Sequence, residues 1–289
     1  MLKTRIVGVV LVRGGITVQS IGFRTFLPVG RPEIAIEYLD RWGIDEIVLL
    51  QTDSSRRGSR VLGSQVSLWA KQCHVPLSVG GGISDVTDVQ ELIHAGADKV
   101  VLNSALISTP EVLTRAAELF GSQCVVASID ARRGEDGRYM TYVQGGRVAT
   151  GATASELAAR AEALGAGEIL ITSIDRDGSK QGLDLDLTHE IVQSVRIPVI
   201  ACGGAGHPTH LREAMQTGAA AVAAANFFHF TEHSVVVSKR ALVDAGAPVR
   251  LDSYLSYDRC GLDVAGRATK LPDDRLEALR FQYIPEEVI

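Results

Sequence analysis

Short apolar, β-branched runs alternate along the chain with longer stretches in which apolar positions recur every three or four residues, and most runs end near Gly, Asp or Ser. Unbroken apolar runs of this length read as strands buried on both faces, and the amphipathic stretches between them as helices covering a parallel sheet. Eight runs are present: Arg5–Val12, Glu46–Gln51, Leu77–Val79, Lys99–Asn103, Val125–Asp130, Glu168–Ser173, Val199–Cys202 and Ala221–Asn226. The helices predicted between them are Arg31–Trp42, Gly63–Gln72, Val86–Ala95, Pro110–Phe120, Ala154–Leu164, Leu187–Val195, Pro208–Thr217 and Ser234–Ala245. Eight such units predict an α/β fold, a closed (β/α)8 TIM barrel over residues 1–250. Residues 251–289 are then a C-terminal extension. Within it Pro272–Arg280 reads as a short capped amphipathic helix that packs on its own barrel or on a partner.

Sliding the chain against itself by half a barrel exposes an internal repeat. Asp45–Leu50 with Asp53 downstream answers to Gly167–Thr172 with Asp175 downstream, Gly80-Gly81-Gly82 to Gly203-Gly204, Gly96-Ala97 to Gly218-Ala219, and Asn103 to Asn226. A shared offset in separate pieces identifies a duplicated half-barrel, which predicts a binding site with approximate twofold symmetry.

Active sites of this fold lie at the C-terminal ends of the strands, where glycine lets backbone N–H groups approach an anion closely. Gly80-Gly81-Gly82 after the third run and Asn103-Ser104 after the fourth form one such place. Gly203-Gly204-Ala205-Gly206 and Ala225-Asn226 form its counterpart, with helix N-termini behind them. Gly82, Asn103, Ser104, Asp177, Gly178, Gly204, Ala225 and Asn226 are the candidate phosphate-binding residues, and they imply an elongated ligand with an anion at each end. Tight βα turns are the structural alternative for the glycines, and an ordinary turn for Asp177 before Gly178.

A carboxylate facing a barrel mouth must be solvated, paired or catalytic. Asp130 closes its run and is the candidate general acid/base. Asp175 is the denser loop's candidate, with an ion pair to Arg176 as the alternative. The repeat exposes a gap here, because Ser128-Ile129-Asp130-Ala131-Arg132 answers to Val9-Val10-Leu11-Val12-Arg13. A scheme that divides proton donation and removal between two facing carboxylates cannot run with one of them replaced by leucine.

The opposite ends of the strands carry four charges, Arg5, Glu46, Lys99 and Glu168. Charges admitted near a barrel interior should pair with one another, and a ring of salt bridges at the floor would act as a plug or gate. Any one of them could instead point to solvent. His207 and His210 are too poorly supported by nearby carboxylates to suggest a metal, His229 reads as a packed loop residue, and His74, His94, His189 and His233 as surface positions.

Bulk properties narrow the partners. The 289 residues are 46% hydrophobic and 22% charged, enough for one large core, and the net charge of −5 argues against nucleic acid or an anionic membrane. Cys73, Cys124, Cys202 and Cys260 are far apart, which suggests neither a disulfide framework nor a zinc site and fits the reducing cytoplasm. The apolar run Ile6–Val12 is too short to serve as a signal or membrane segment.

These residues resemble the HisF family, the cyclase subunit of imidazole glycerol phosphate synthase. The resemblance covers about residues 1–251 and is carried by Gly121-Ser122-Gln123 leading to Ser128-Ile129-Asp130, by Gly165–Leu170 leading to Thr172–Gly178, by Gly203-Gly204-Ala205-Gly206 and by Phe228-His229-Phe230. It implies a barrel that receives ammonia from a HisH-like glutaminase docked at its floor and uses it with a bisphosphate ribonucleotide, without cofactor or metal. It also implies that Arg5, Glu46, Lys99 and Glu168 form the ammonia gate and that Asp98 contacts the glutaminase.

Departures cluster at the mouth. Leu11 stands in place of the family's second catalytic aspartate, Val9 of a cysteine, Gln51 of an aspartate and Gln19 of a lysine. That combination is similar to HisF-like proteins of bacterial surface-glycan pathways, which implies ammonia supply to an ATP-dependent sugar amidotransferase forming an acetamidino sugar. The sequence therefore predicts an ammonia-conducting barrel with cyclase activity lost. A true cyclase of histidine biosynthesis, with Asp130 alone or Asp53 substituting, is the alternative, and a phosphate-binding regulator of a glutaminase is a third.

Overall fold

The computed structural model describes residues 3–54, 60–230, 233–251, 261–264, 266–269 and 274. In chain order the strands are β1 (Arg5–Arg13), β2 (Ile16–Ile21), β3 (Thr25–Gly30), β4 (Glu46–Gln51), β5 (Leu77–Gly80), β6 (Lys99–Leu102), β7 (Val125–Arg133), β8 (Tyr139–Val143), β9 (Val148–Thr153), β10 (Glu168–Ser173), β11 (Val199–Cys202) and β12 (Ala221–Ala224). The helices are α1 (Pro32–Arg41), α2 (Gly63–Ala70), α3 (Val86–His94), α4 (Ala105–Ser108), α5 (Glu111–Phe120), α6 (Ala154–Ala163), α7 (Leu185–Ser194), α8 (Pro208–Gln216), α9 (Asn226–His229) and α10 (Ser234–Asp244).

Eight strands pair in parallel in the closed order β1, β4, β5, β6, β7, β10, β11, β12 and back to β1. All eight match runs predicted from the sequence, and the fold is the expected (β/α)8 barrel. Outward-facing Ile6, Val10, Ile47, Leu49, Ile169 and Ile171 join helix residues such as Ile36, Leu39, Val66, Trp69, Val89 and Leu92 in the main core. Inward-facing Val7, Val9, Val48, Val101, Val126, Leu170, Ile200, Ala221 and Ala223 form a second apolar cluster inside the barrel. Strand periodicity therefore stacks three inner layers: charges at the floor, apolar residues in the middle and mixed residues at the mouth.

Two hairpins were not expected from the eight-run pattern. β1 continues one residue past its predicted end into antiparallel β2 and β3, and β7 continues three residues into antiparallel β8 and β9. They follow the first strand of each half, in keeping with the duplication. The structure also shifts one predicted correspondence. β6 ends at Leu102 and β12 at Ala224, so the first residue beyond each strand is Asn103 in one half and Ala225 in the other. Asn103 thus answers to Ala225, and Ser104 to Asn226, because the second half is one residue shorter at this point than the sequence offset suggested.

Beyond residue 251, Leu262 and Ala268 pair in an antiparallel bridge and Thr269 N donates to Gly261 O. Gly266 is buried against His207 and Pro208, where an added Cβ would stand 2.8 Å from Pro208 Cδ. The predicted helix Pro272–Arg280 lies outside the described residues, apart from Asp274.

Candidate active site

A cavity of about 390 Å³ opens at the C-terminal ends of the barrel strands and has two unlike walls. One is polar and is formed by Asn103, Ser104, Ser128, Asp130, Thr172 and Asp177. The other is apolar and is formed by Val9, Leu11, Leu50, Cys202 and Ala225. Leu11 and Asp130, the matching positions of the two halves, both face this cavity. Cys202 behaves as part of the apolar wall, since burial first and the Asp177 carboxylate second push its thiol up to about 12.

Asp130 projects from β7 with only 9% of its surface exposed. Its Oδ2 accepts a hydrogen bond from Asn103 Nδ2 at 3.1 Å, and the same amide donates to Ser128 O at 3.0 Å. Burial raises its carboxyl to about 7, against the Asn103 hydrogen bond and with a contribution from the Asp177 charge. A carboxyl poised there exchanges protons near neutrality, which suits a general acid/base.

The second-half residues are engaged differently from the first. Gly82, Asn103, Ser104, Asp177 and Ala225 line the cavity, whereas Gly178, Gly204 and Asn226 do not. Asp177 Oδ2 accepts from Ser20 Oγ at 2.6 Å and from Phe23 N at 3.1 Å, and Asn226 Nδ2 donates to Ser20 O at 2.6 Å. Burial raises the Asp177 carboxyl, opposed by these donors. Ser20, on the β2 hairpin that crosses the mouth, was not singled out from the sequence. No local signal marks it, because its partners are 157 and 206 residues away.

Other sequence candidates separate from the site. Asp53 is buried, accepts from Gly14 N at 3.1 Å and does not line the cavity. Asp175 pairs with Arg132, at 3.4 Å, and accepts from Arg133 N, rather than pairing with Arg176. His207, the N-cap of α8, accepts from Thr209 N, and His210, in the first turn of that helix, accepts from Gly206 N. His229 lies on the short helix α9, not in a loop, and burial lowers its imidazole to about 4 against a backbone hydrogen bond at Val9. Gln51 lines the cavity, whereas Gln19 does not.

At the floor, the four charges interlock as alternating partners. Arg5 Nη1 meets Glu46 Oε2 at 2.5 Å and its Nη2 bonds Glu168, while Lys99 Nζ lies 2.8 Å from Glu46 and 2.9 Å from Glu168. Ser78 Oγ adds a 2.9 Å bond to Glu46. Burial opposes the charge on Arg5 and Lys99, yet the two carboxylates prevail and hold both cations above their ordinary values. Asp98, beside this ring, is exposed and accepts from Leu77 N at 2.8 Å.

Among the described residues no helix is long and apolar enough to cross a membrane. Residues 5–234 match the family described as "Histidine biosynthesis protein". The imidazole glycerol phosphate synthase subunit HisF of Caulobacter vibrioides strain NA1000 / CB15N is 44% identical over 255 residues, which span 88% of this chain and 98% of that protein. The HisF of strain ATCC 19089 of the same organism is similar to the same extent.

Proposed function

Because this chain belongs to the HisF family of histidine-biosynthesis barrels, we propose that it is the barrel subunit of a glutamine-dependent amidotransferase, taking ammonia at its floor from a HisH-like glutaminase and passing it to an acceptor at its mouth. The observation that carries this reading is the complete Arg5–Glu46–Lys99–Glu168 ring beneath a mouth in which Leu11 leaves Asp130 without a facing partner carboxylate. In the ring every charge has two counter-charges, so the floor is shut to ions and opens only when one side chain swings aside. Lys99 is the natural moving part, a flexible stem with a single terminal charge. Above it, Val7, Val48, Val101, Val126 and Leu170 offer no group that could protonate ammonia. At the mouth Asp130 is the acid/base group, and Asp98 on the exposed floor rim is the contact for the glutaminase.

With Leu11 opposite it, Asp130 cannot act as acid and base on both faces of a cyclising substrate in the same step, and the other carboxyl of the cavity, Asp177, is already bonded by Ser20 Oγ and Phe23 N. The mouth therefore favours amidation of a separate acceptor, in our reading an N-acetyl sugar of a surface glycan, amidated with an ATP-dependent sugar amidotransferase. A second reading, the cyclase subunit of histidine biosynthesis, is favoured by the identity to HisF along nearly that protein's whole length. The two are separated by supplying the purified chain with the bisphosphate ribonucleotide and ammonium at high pH. We expect no cyclisation; turnover like that of an ordinary cyclase establishes the second reading instead. Mixing with a candidate glutaminase should stimulate glutamine hydrolysis, and failure to do so overturns the floor assignment.

A further inference from the structure

The two halves of the barrel place matched residues around the mouth, and the matches differ in one sense. Val9 answers to Ser128, Leu11 to Asp130, Leu50 to Thr172 and Ala225 to Asn103, and all of them line the cavity. The first member of every pair is apolar and the second is polar. The apolar members stand on β1 and β4 and just beyond β12, which are neighbours in the barrel. The polar members stand on β7 and β10 and just beyond β6, which are neighbours on the opposite side. Register keeps the two sides comparable, for Leu11 pairs with Leu50 across β1 and β4, and Asp130 with Thr172 across β7 and β10.

Leu11, Leu50 and Ala225 also pack on the apolar cluster inside the barrel, to which Val9 belongs. The wall is therefore the upper surface of that cluster, two strand spacings or about 10 Å wide, rather than one stray leucine. Polar atoms of a ligand turned towards it would lose water without gaining a partner. The facing wall asks for the reverse. Asp130 and Thr172 are each 9% exposed, and a threonine hydroxyl can both donate and accept. Among the described residues no lysine or arginine lines the cavity, so a negative group between these walls would meet Asp130 and Asp177 without a counter-charge. The group that fits between them is neutral, apolar at one end and able to give and take hydrogen bonds at the other. An acetamido group has this form, with a methyl at one end and an N–H and a C=O on its amide edge.

We propose that Leu11 is a specificity-determining residue: with Val9, Leu50 and Ala225 it receives the methyl of an N-acetyl group whose amide edge is turned towards Asp130 and Thr172. Leucine at this position is then a binding group in its own right and not only the loss of a carboxylate. This rests on the reading of the mouth as an acceptor site, and it deepens that reading by giving the orientation of the entering group and the residues that select it.

The test is ligand-observed NMR titration of the full chain with N-acetylglucosamine and with glucose, a probe that lacks the acyl group. We expect N-acetylglucosamine to bind about fourfold more tightly, the worth of one buried methyl, with the strongest saturation transfer on that methyl. Leu11→Asn, which is close to isosteric, and Leu50→Thr, which copies the residue of the other half, should each bring the two probes within about twofold of one another. Leu11→Ile should keep the preference. Equal binding of the two probes to the parent chain overturns the proposal, as does a preference that survives both polar substitutions, or no binding of either probe at tens of millimolar. These readouts involve neither glutaminase nor turnover, so the ammonia route can fail while the acyl preference stands, and the reverse.

Discussion

Asn103 donates its side-chain amide to Asp130 across 3.1 Å, and the corresponding pair in the other half of the barrel is Ala225 and Leu11. An amide and a carboxyl on one side are thus matched by two apolar groups on the other. The basicity of Asp130 is consequently set by burial, by one neutral donor and by the Asp177 charge on its own side of the mouth, with nothing titratable opposite at position 11. The contrast extends one layer down, where Val9 answers to Ser128, and ends two positions deeper, where Val7 and Val126 are both apolar.

Position 11 should resist a carboxylate. In Leu11→Asp the new acid would enter the wall formed by Val9, Leu50, Cys202 and Ala225. Burial of an unpaired charge is avoided by protonation, so its pKa should rise. We expect the substitution to cost about 2–3 kcal/mol at pH 8 and clearly less at pH 5. Urea unfolding at the two pH values checks this; equal losses would mean that the position is hydrated.

For Asp130 the sign runs from acid to neutral. Its folded pKa is raised from 3.8 to about 7, so the protonated form is the stable one and its contribution is complete below pH 4. That contribution is lost as pH rises from about 4 to 7, where the unfolded chain is ionised and the folded chain is not. Asp130→Asn keeps an acceptor for Asn103 and cannot ionise. It should match the wild type at pH 4 and exceed it by about 1–3 kcal/mol at pH 8. A gain independent of pH would show that Asp130 titrates normally.

The hairpin latch should be visible to a protease. Arg24 lies at the exposed tip of the β2–β3 hairpin, whose position depends on the bonds from Asn226 and Asp177 to Ser20 and Phe23. Loss of two hydrogen bonds, each worth about 1 kcal/mol net, should raise the open population severalfold. Limited trypsin digestion of Asn226→Ala should therefore cut after Arg24 about five to thirty times faster than the parent chain. Unchanged cleavage would place the latch elsewhere.

The barrel strands were legible because each is buried on both faces and reads as an unbroken apolar run, from Ile6 to Val12 and from Ile169 to Ile171. The hairpins were not. β3 is mostly exposed, contains Pro28 and shows no alternation that would mark a strand. The floor ring was legible for the opposite reason, since a charge opening an apolar run stands out and inward-facing residues recur at every second position. The mouth divides between these cases. Asp130 and Leu11 could be aligned through the repeat, but Asn103 was aligned one residue away from its true counterpart, and Ser20 meets its partners only through tertiary folding.

The ring offers the clearest energetic test because its members are paired twice. Glu46 is 2% exposed at its side chain and receives Arg5, Lys99 and Ser78. In Glu46→Gln the two cations keep only Glu168 between them, leaving net positive charge in a low-dielectric floor. The expected loss is about 3 kcal/mol, the scale for breaking rather than replacing a buried pair. Removing a cation together with the anion, in Glu46→Gln/Lys99→Met, should recover at least about half of that loss, because the remaining Arg5 and Glu168 still neutralise each other. Salt should change neither result much, since pairs shielded from solvent are weakly screened. Denaturant unfolding of the three chains with and without about 1 M sodium chloride checks all three statements. A double variant no more stable than Glu46→Gln would mean that Lys99 is held by solvent rather than by the ring.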